Sequence, residues 1–228
     1  MDDEILEPET SNEELIDEMF GVYEEEVQTD GGTHQAVSCA GNISHACVRE
    51  SLNQVSDALE GREDYVLVGG IPTQMEVLRR KGDDSPLLME YFGRRYTNDL
   101  DILTTDPSGV RRDILQSGYD ESELLDIDPI GTGLIDGTDD IIDNGELRSY
   151  SAYETASTPL EAELRVPSDT DLLYTKVHDQ ESRESEGTST DAEIIAESGI
   201  FEIDPVELHQ HVNGNSEAQD YLEQELAY

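Results

Sequence analysis

The chain has no tryptophan, three phenylalanines, two cysteines and only 13 lysines and arginines, set against 55 aspartates and glutamates. Each scarcity removes a class of explanation. Two cysteines cannot supply a cysteine-based metal cage or a disulfide-rich scaffold. Without tryptophan, and with 35% apolar residues in all, the core has to be built largely from Leu, Ile and Val. No apolar run approaches the ~18 residues that a membrane helix needs. The first residues, "MDDEILEPET", have neither a basic region nor an apolar run, so the sequence offers no signal peptide. Lysine is nearly absent, with Lys81 and Lys176 the sole examples.

What is abundant is negative charge, a formal net of −42 over 228 residues. Such a balance suits disorder, mimicry of nucleic acid, or work in concentrated salt. Apolar periodicity runs through most of the chain after residue 35, which argues against disorder throughout. At molar salt the Debye length falls to about 3 Å, so carboxylates keep their hydration without repelling one another at range. The composition resembles that of cytoplasmic proteins from halophilic archaea, and a cytoplasmic location is the corresponding expectation.

Residues 1–30 contain 13 acidic side chains and no Lys or Arg, which reads as a flexible acidic arm over 1–33, with at most a marginal helix in "ELIDEMFGVYEEE". One domain is expected over 34–198, with C-terminal helices over 199–228. Val37, Gly41, Ser44, Val48, Leu52, Val55 and Leu59 recur at helical spacing up to a stop at Gly61. On that helix Cys39 and Cys47 would stand about 12 Å apart, too far for a disulfide, so two buried free thiols are expected.

"DYVLVGG" reads as a buried strand entering a glycine turn, and "PTQMEVLRRKG" as the helix after it. The strand "RYTNDLDIL" follows the loop 83–93, and then comes a capped helix from Asp106 to Gly118. "ELLDIDPI" reads as a third strand and 131–147 as turns. "RSYSAYETA" and "LEAELRVP" read as a hairpin. The helices "SDTDLLYTKVHDQ", "DAEIIAESG", "DPVELHQHV" and "SEAQDYLEQELA" follow, with 181–190 as a polar loop. This order implies an α+β fold with a helical C-terminal part.

Asp99 and Asp101 are the residues that ask for a chemical explanation. Side chains alternate along a strand, so both point to one face about 7 Å apart while Leu100 and Ile102 point to the core. Like charges at that spacing suit a divalent cation held with substrate phosphates. Gly69-Gly70 lets backbone N–H groups approach a phosphate, with a helix N-terminus behind them; it also reads as an ordinary strand-to-helix turn. Seven of the 13 basic residues lie within 79–112, and some are expected to form helix-surface ion pairs of little energetic value. His209 and His211, two apart on a helix, face different ways and are not expected to bind metal together.

The ordered pieces "VLVGG" and "RRYTNDLDIL" resemble the nucleotidyltransferase superfamily that includes DNA polymerase beta. The form R-x-T-x-D-x-D resembles its minimal members and the abortive-infection type IV toxins. Downstream, "LRVPSDTDLLYTKVHDQESR" followed by "TD" at 190–191 places Lys176, Arg183 and Asp191 in the family's order, so the resemblance spans about residues 64–198. "GDDSPLLMEYFG" would be an insertion within it.

The resemblance implies a nucleotidyltransferase-like mixed sheet flanked by helices. Asp99 and Asp101 would hold Mg²⁺ or Mn²⁺. Gly69, Gly70, Arg95, Thr97 and Lys176 would bind a nucleoside triphosphate. Asp128, or else Asp126, would supply the third carboxylate as base, a solvated edge strand being the plainer reading of both. Lys176 would neutralise departing pyrophosphate, or else be a surface lysine. The implied partners are an NTP, a tRNA or other RNA or protein hydroxyl as acceptor, and a cognate antitoxin. A catalytically silent nucleotide-binding module of the same fold is the alternative.

Overall fold

The computed structural model describes residues 22–29, 32–82, 97–133, 137–152, 158–178, 186–224 and 226. They form an α+β fold of small sheets and helices. Among the described residues there are three sheets: a hairpin of β1 (Val22–Thr29) and β2 (Gly32–Cys39), a three-stranded sheet, and a second hairpin.

The central sheet has the order β3 (Tyr65–Leu67), β4 (Asp99–Thr104), β5 (Asp126–Gly131). β3 runs antiparallel to β4, and β4 runs parallel to β5. These short strands are rich in Val, Leu and Ile, as strands covered by other elements need to be. Val66, Leu67, Leu100, Ile102 and Leu103 are completely buried. The hairpin of β6 (Glu146–Ala152) and β7 (Leu160–Val166) alternates buried and exposed residues along β7, and that strand packs against β3.

Helix α1 (Ala46–Ala58) buries Val48, Leu52 and Val55 against β7 and against α3 (Pro107–Gln116). Helix α2 (Gly70–Lys81) starts directly out of the glycine turn and ends at Gly82, whose φ of 74° lets the chain leave the helix. α3 begins as expected, with the Asp106 carboxylate accepting from Gly109 N at 3.0 Å. The C-terminal layer is α5 (Asp169–Val177), α6 (Glu186–Glu197), α7 (Pro205–His211) and α8 (Ser216–Gln224), with α5 packed against the other three.

Several elements differ from the sequence reading. The acidic arm does not stay unstructured to residue 33: β1 and β2 pair antiparallel in full register, from Val22 against Cys39 to Thr29 against Gly32. Asp-Gly between extended runs is a strong hairpin signal, and it outweighs the glutamates of β1. Residues 1–21 lie outside the described residues. The first helix begins at residue 46, not near 37, because β2 occupies Gly32–Cys39.

That shift overturns the free-thiol expectation. Cys39 ends a strand and Cys47 opens a helix, so their Cα atoms are 6.0 Å apart and the two form a disulfide. Within the expected turn region, Thr138–Asp143 forms a short helix, α4, and α6 takes in residues 186–190 of the expected polar loop. No helix among the described residues is long and apolar enough to cross a membrane.

The arginines of α2 are not the weak surface pairs expected. Glu76 is fully buried and meets Arg79 at 2.6 Å, Arg80 at 2.8 Å and Arg148 of β6 at 2.9 Å, and accepts the Tyr150 hydroxyl at 2.6 Å. Arg80 also grips Asp169 at the start of α5, at 2.6 Å, and lies over the Phe201 ring at 4.8 Å. Burial by itself would raise the Glu76 carboxyl; Arg79, Tyr150 and Arg148 outweigh it and hold the pKa down at about 2. This cluster joins the central helix to the second hairpin and to the C-terminal layer. Arg111 fits the weak-pair expectation better, meeting Glu121 at 2.7 Å in a partly exposed pair.

Candidate functional site

The parallel register of β4 and β5 sets Asp99 beside Asp126 and Asp101 beside Asp128. Residues opposed in a parallel pair project to the same face, so four carboxylates share one side of the sheet. The burial pattern agrees with this. Leu100 and Ile127 between them are buried, Asp99 and Asp101 are half-buried, and Asp126 and Asp128 are exposed. Thus the two pairs that the sequence places 25 residues apart, at 99–101 and 126–128, meet side by side.

The glycine turn reaches the same place. Val68 N donates to Asp101 O at 3.0 Å, which carries β3 past its last paired residue. Gly69 then turns the chain with φ 79° and ψ −154°, a conformation essentially reserved for glycine. A Cβ added there would lie 2.2 Å from Asp101 Oδ2, so the carboxylate rests directly on the Gly69 backbone. Gly70 is the first residue of α2, whose N-terminal end therefore begins one residue away from this contact.

Thr97 holds the entry to β4. Its backbone exchanges two hydrogen bonds of 2.8 Å with Gly41, and its hydroxyl donates to Asp99 Oδ1 at 2.7 Å. Gly41 lies between the two bridged cysteines, so the disulfide loop abuts the aspartate face. Behind α2, Gln74 accepts Ile43 N at 2.9 Å and fastens the same loop to the helix. Asp99, Asp126 and Asp128 have no cationic partner among the described residues.

The remaining expected site residues are placed differently. Lys176 is buried, not a surface lysine, and its ammonium meets Asp191 Oδ2 of α6 at 2.7 Å with both side chains almost wholly enclosed. It therefore pairs within the C-terminal layer, joining two residues that the sequence placed in one motif. Arg95 and Arg183 lie outside the described residues.

The sequence reading missed one group. Asp171, Glu207 and His211 each offer a ligand atom, and these atoms all lie within 4.8 Å of one another. The sequence reading considers His211 with His209, whereas the fold sets it beside Asp171 and Glu207. The usable signal was Glu207 and His211 at i and i+4, which share a helix face; Asp171, on another helix, had none.

No family model, curated protein or solved structure matches the chain.

Proposed function

We propose that this protein is a metal-dependent nucleotidyltransferase of the minimal, toxin-like kind, working in a salt-rich cytoplasm. It would transfer a nucleoside monophosphate from an NTP to a hydroxyl of RNA or protein. The observation that carries the reading is the contact of Gly69 with Asp101 on a face that also bears Asp99, Asp126 and Asp128. A phosphate-approach turn and clustered carboxylates are separate sequence features, and a transferase of this class needs them adjacent.

The donor set fits Mg²⁺ or Mn²⁺: hard carboxylate oxygens, Asp99 and Asp101 half-buried and Asp126 and Asp128 exposed. Asp99 and Asp101 would hold the ion, which when bound polarises phosphate and neutralises charge on it. The Gly69-Gly70 turn and the N-terminus of α2 would orient the triphosphate by backbone N–H donation. Thr97 holds Asp99 in place through its hydroxyl. Asp128, registered against Asp101, would accept the proton of the attacking hydroxyl, with Asp126 as the alternative base. In such transfers positioning and charge stabilisation supply nearly all of the rate.

One observation favours the silent module instead. The Lys176 ammonium is engaged by Asp191 in a buried pair, so it is already committed within the fold. Incubation with each α-labelled NTP, Mg²⁺, and halophile RNA or protein in molar KCl decides between them. Transfer that disappears in Asp101→Asn supports the enzyme; Mg²⁺-dependent NTP binding without transfer supports the module; neither overturns both. A cognate antitoxin would appear as a protein whose addition abolishes transfer.

The Cys39–Cys47 disulfide weighs against a strongly reducing location, because cytoplasmic disulfides are rare in mesophiles. Thiol titration of protein taken from its native source under acid quench tests that part of the reading.

A further inference from the structure

The C-terminal layer holds a second cluster, independent of the β4–β5 face. Asp171 is fully buried in the first turn of α5. Its Oδ2 accepts the Ser168 hydroxyl at 2.9 Å, and its N–H donates back to Ser168 Oγ at 3.0 Å. Its Oδ1 accepts no hydrogen bond, although it is enclosed. His211 Nε2 of α7 stands 3.0 Å from it and is also buried and also without a hydrogen bond. Glu207 Oε1, one turn earlier on α7, stands 3.9 Å from the same nitrogen.

Two buried polar atoms that face each other without a directed N–H···O bond would each carry a desolvation cost. A shared cation removes it. Bonds of about 2.0–2.2 Å in a tetrahedral site put neighbouring ligand atoms about 3.4 Å apart, and 3.0 and 3.9 Å bracket that edge. The imidazole is held for the purpose, since the Tyr174 ring stacks on it at 5.0 Å and 19°.

We infer that Asp171, Glu207 and His211 form a binding site for a transition-metal cation of the Zn²⁺ class, clamping α7 to α5. One imidazole with two carboxylates favours such ions over Mg²⁺ and Ca²⁺, which take oxygen donors. The exposed side of Glu207 leaves a position for water. Because α5 also carries Lys176, the ion would fix the helix that presents the buried Lys176–Asp191 pair.

The test uses the full chain, stripped with chelator, in molar KCl with excess Mg²⁺ to occupy sites built only from oxygen. Titration with Co²⁺ is followed by visible absorption and calorimetry, and Zn²⁺ is then added in competition. One equivalent of Co²⁺ with ligand-field absorption, displaced by Zn²⁺, is expected. Glu207→Gln should weaken binding at least about tenfold, the lower end of what even outer ligands contribute, and His211→Ala should abolish it. Both positions are partly exposed, so the variants should fold, and circular dichroism verifies that they do. No saturable binding by the wild type, or equal binding by both variants, overturns the site.

Discussion

Carboxylates around α2 meet two opposite environments. At Glu76 a single buried carboxylate receives three guanidinium groups and a phenol from α2 and β6. On the face of β4 and β5 four carboxylates stand together, and three of them have no cationic partner among the described residues. In a chain with 13 cations, three of the arginines have gone to one glutamate. Charge that is compensated inside the protein serves the fold. Charge collected and left uncompensated is available to something from outside.

The contrast predicts opposite responses to neutralisation. Glu76→Ala should have the largest effect, costing about 3 kcal/mol in denaturant unfolding at molar KCl. That is the low end for breaking a buried pair, because the arginines left behind are partly exposed. The same region should control acid unfolding. Its carboxyl is depressed from 4.5 to about 2, so the stability it contributes is present above about pH 4.5 and is lost as pH falls through about 2. A pH series of unfolding free energies should show wild type and Glu76→Gln converging across that window. If the gap stays constant, the pairing is misassigned.

Next in size is the bridge beside the aspartate face. Replacing Cys39 and Cys47 together by serine should cost about 2–3 kcal/mol, as expected for a short closed loop, and reductant should reproduce the loss in the wild type alone. Gly69→Ala should cost about 1–3 kcal/mol, since its backbone conformation suits only glycine. It should also displace Asp101, so nucleotide binding should fall further than stability does.

Smallest in stability is Asp99→Asn with Asp101→Asn. Unfolding free energy should change by less than about 0.5 kcal/mol, or rise in dilute salt as repulsion is relieved. Mg²⁺-dependent NTP binding, read by calorimetry, should vanish. A large destabilisation by this pair would erase the distinction between the two regions.

Local chemistry explains what could be read in advance. The run from β3 through the glycine turn into α2 was legible because an apolar strand, a glycine and a helical period succeed one another without a break. The cap at Asp106 was legible because its carboxylate satisfies an N–H group three residues on. β1 escaped notice because "EEE" carries like charge that disguises a strand, and the cysteine pair was misjudged through a helix boundary placed too early. The sequence reading put Asp99 and Asp101 on one face, but their register against Asp126 and Asp128 is a pairing choice that no local signal reports. The same holds for Glu76, whose partners Arg148 and Tyr150 lie more than 70 residues away.

The bridge between Cys39 and Cys47 closes a small covalent ring that contains Gly41, the residue paired with Thr97. A protease that cuts inside this ring would sever the peptide chain without separating its pieces. The β1–β2 hairpin would stay attached through sulfur, and the nicked protein would run at its full 25.3 kDa until reductant was added. Anchorage of the acidic N-terminal segment is thus independent of the peptide bonds between residues 39 and 47.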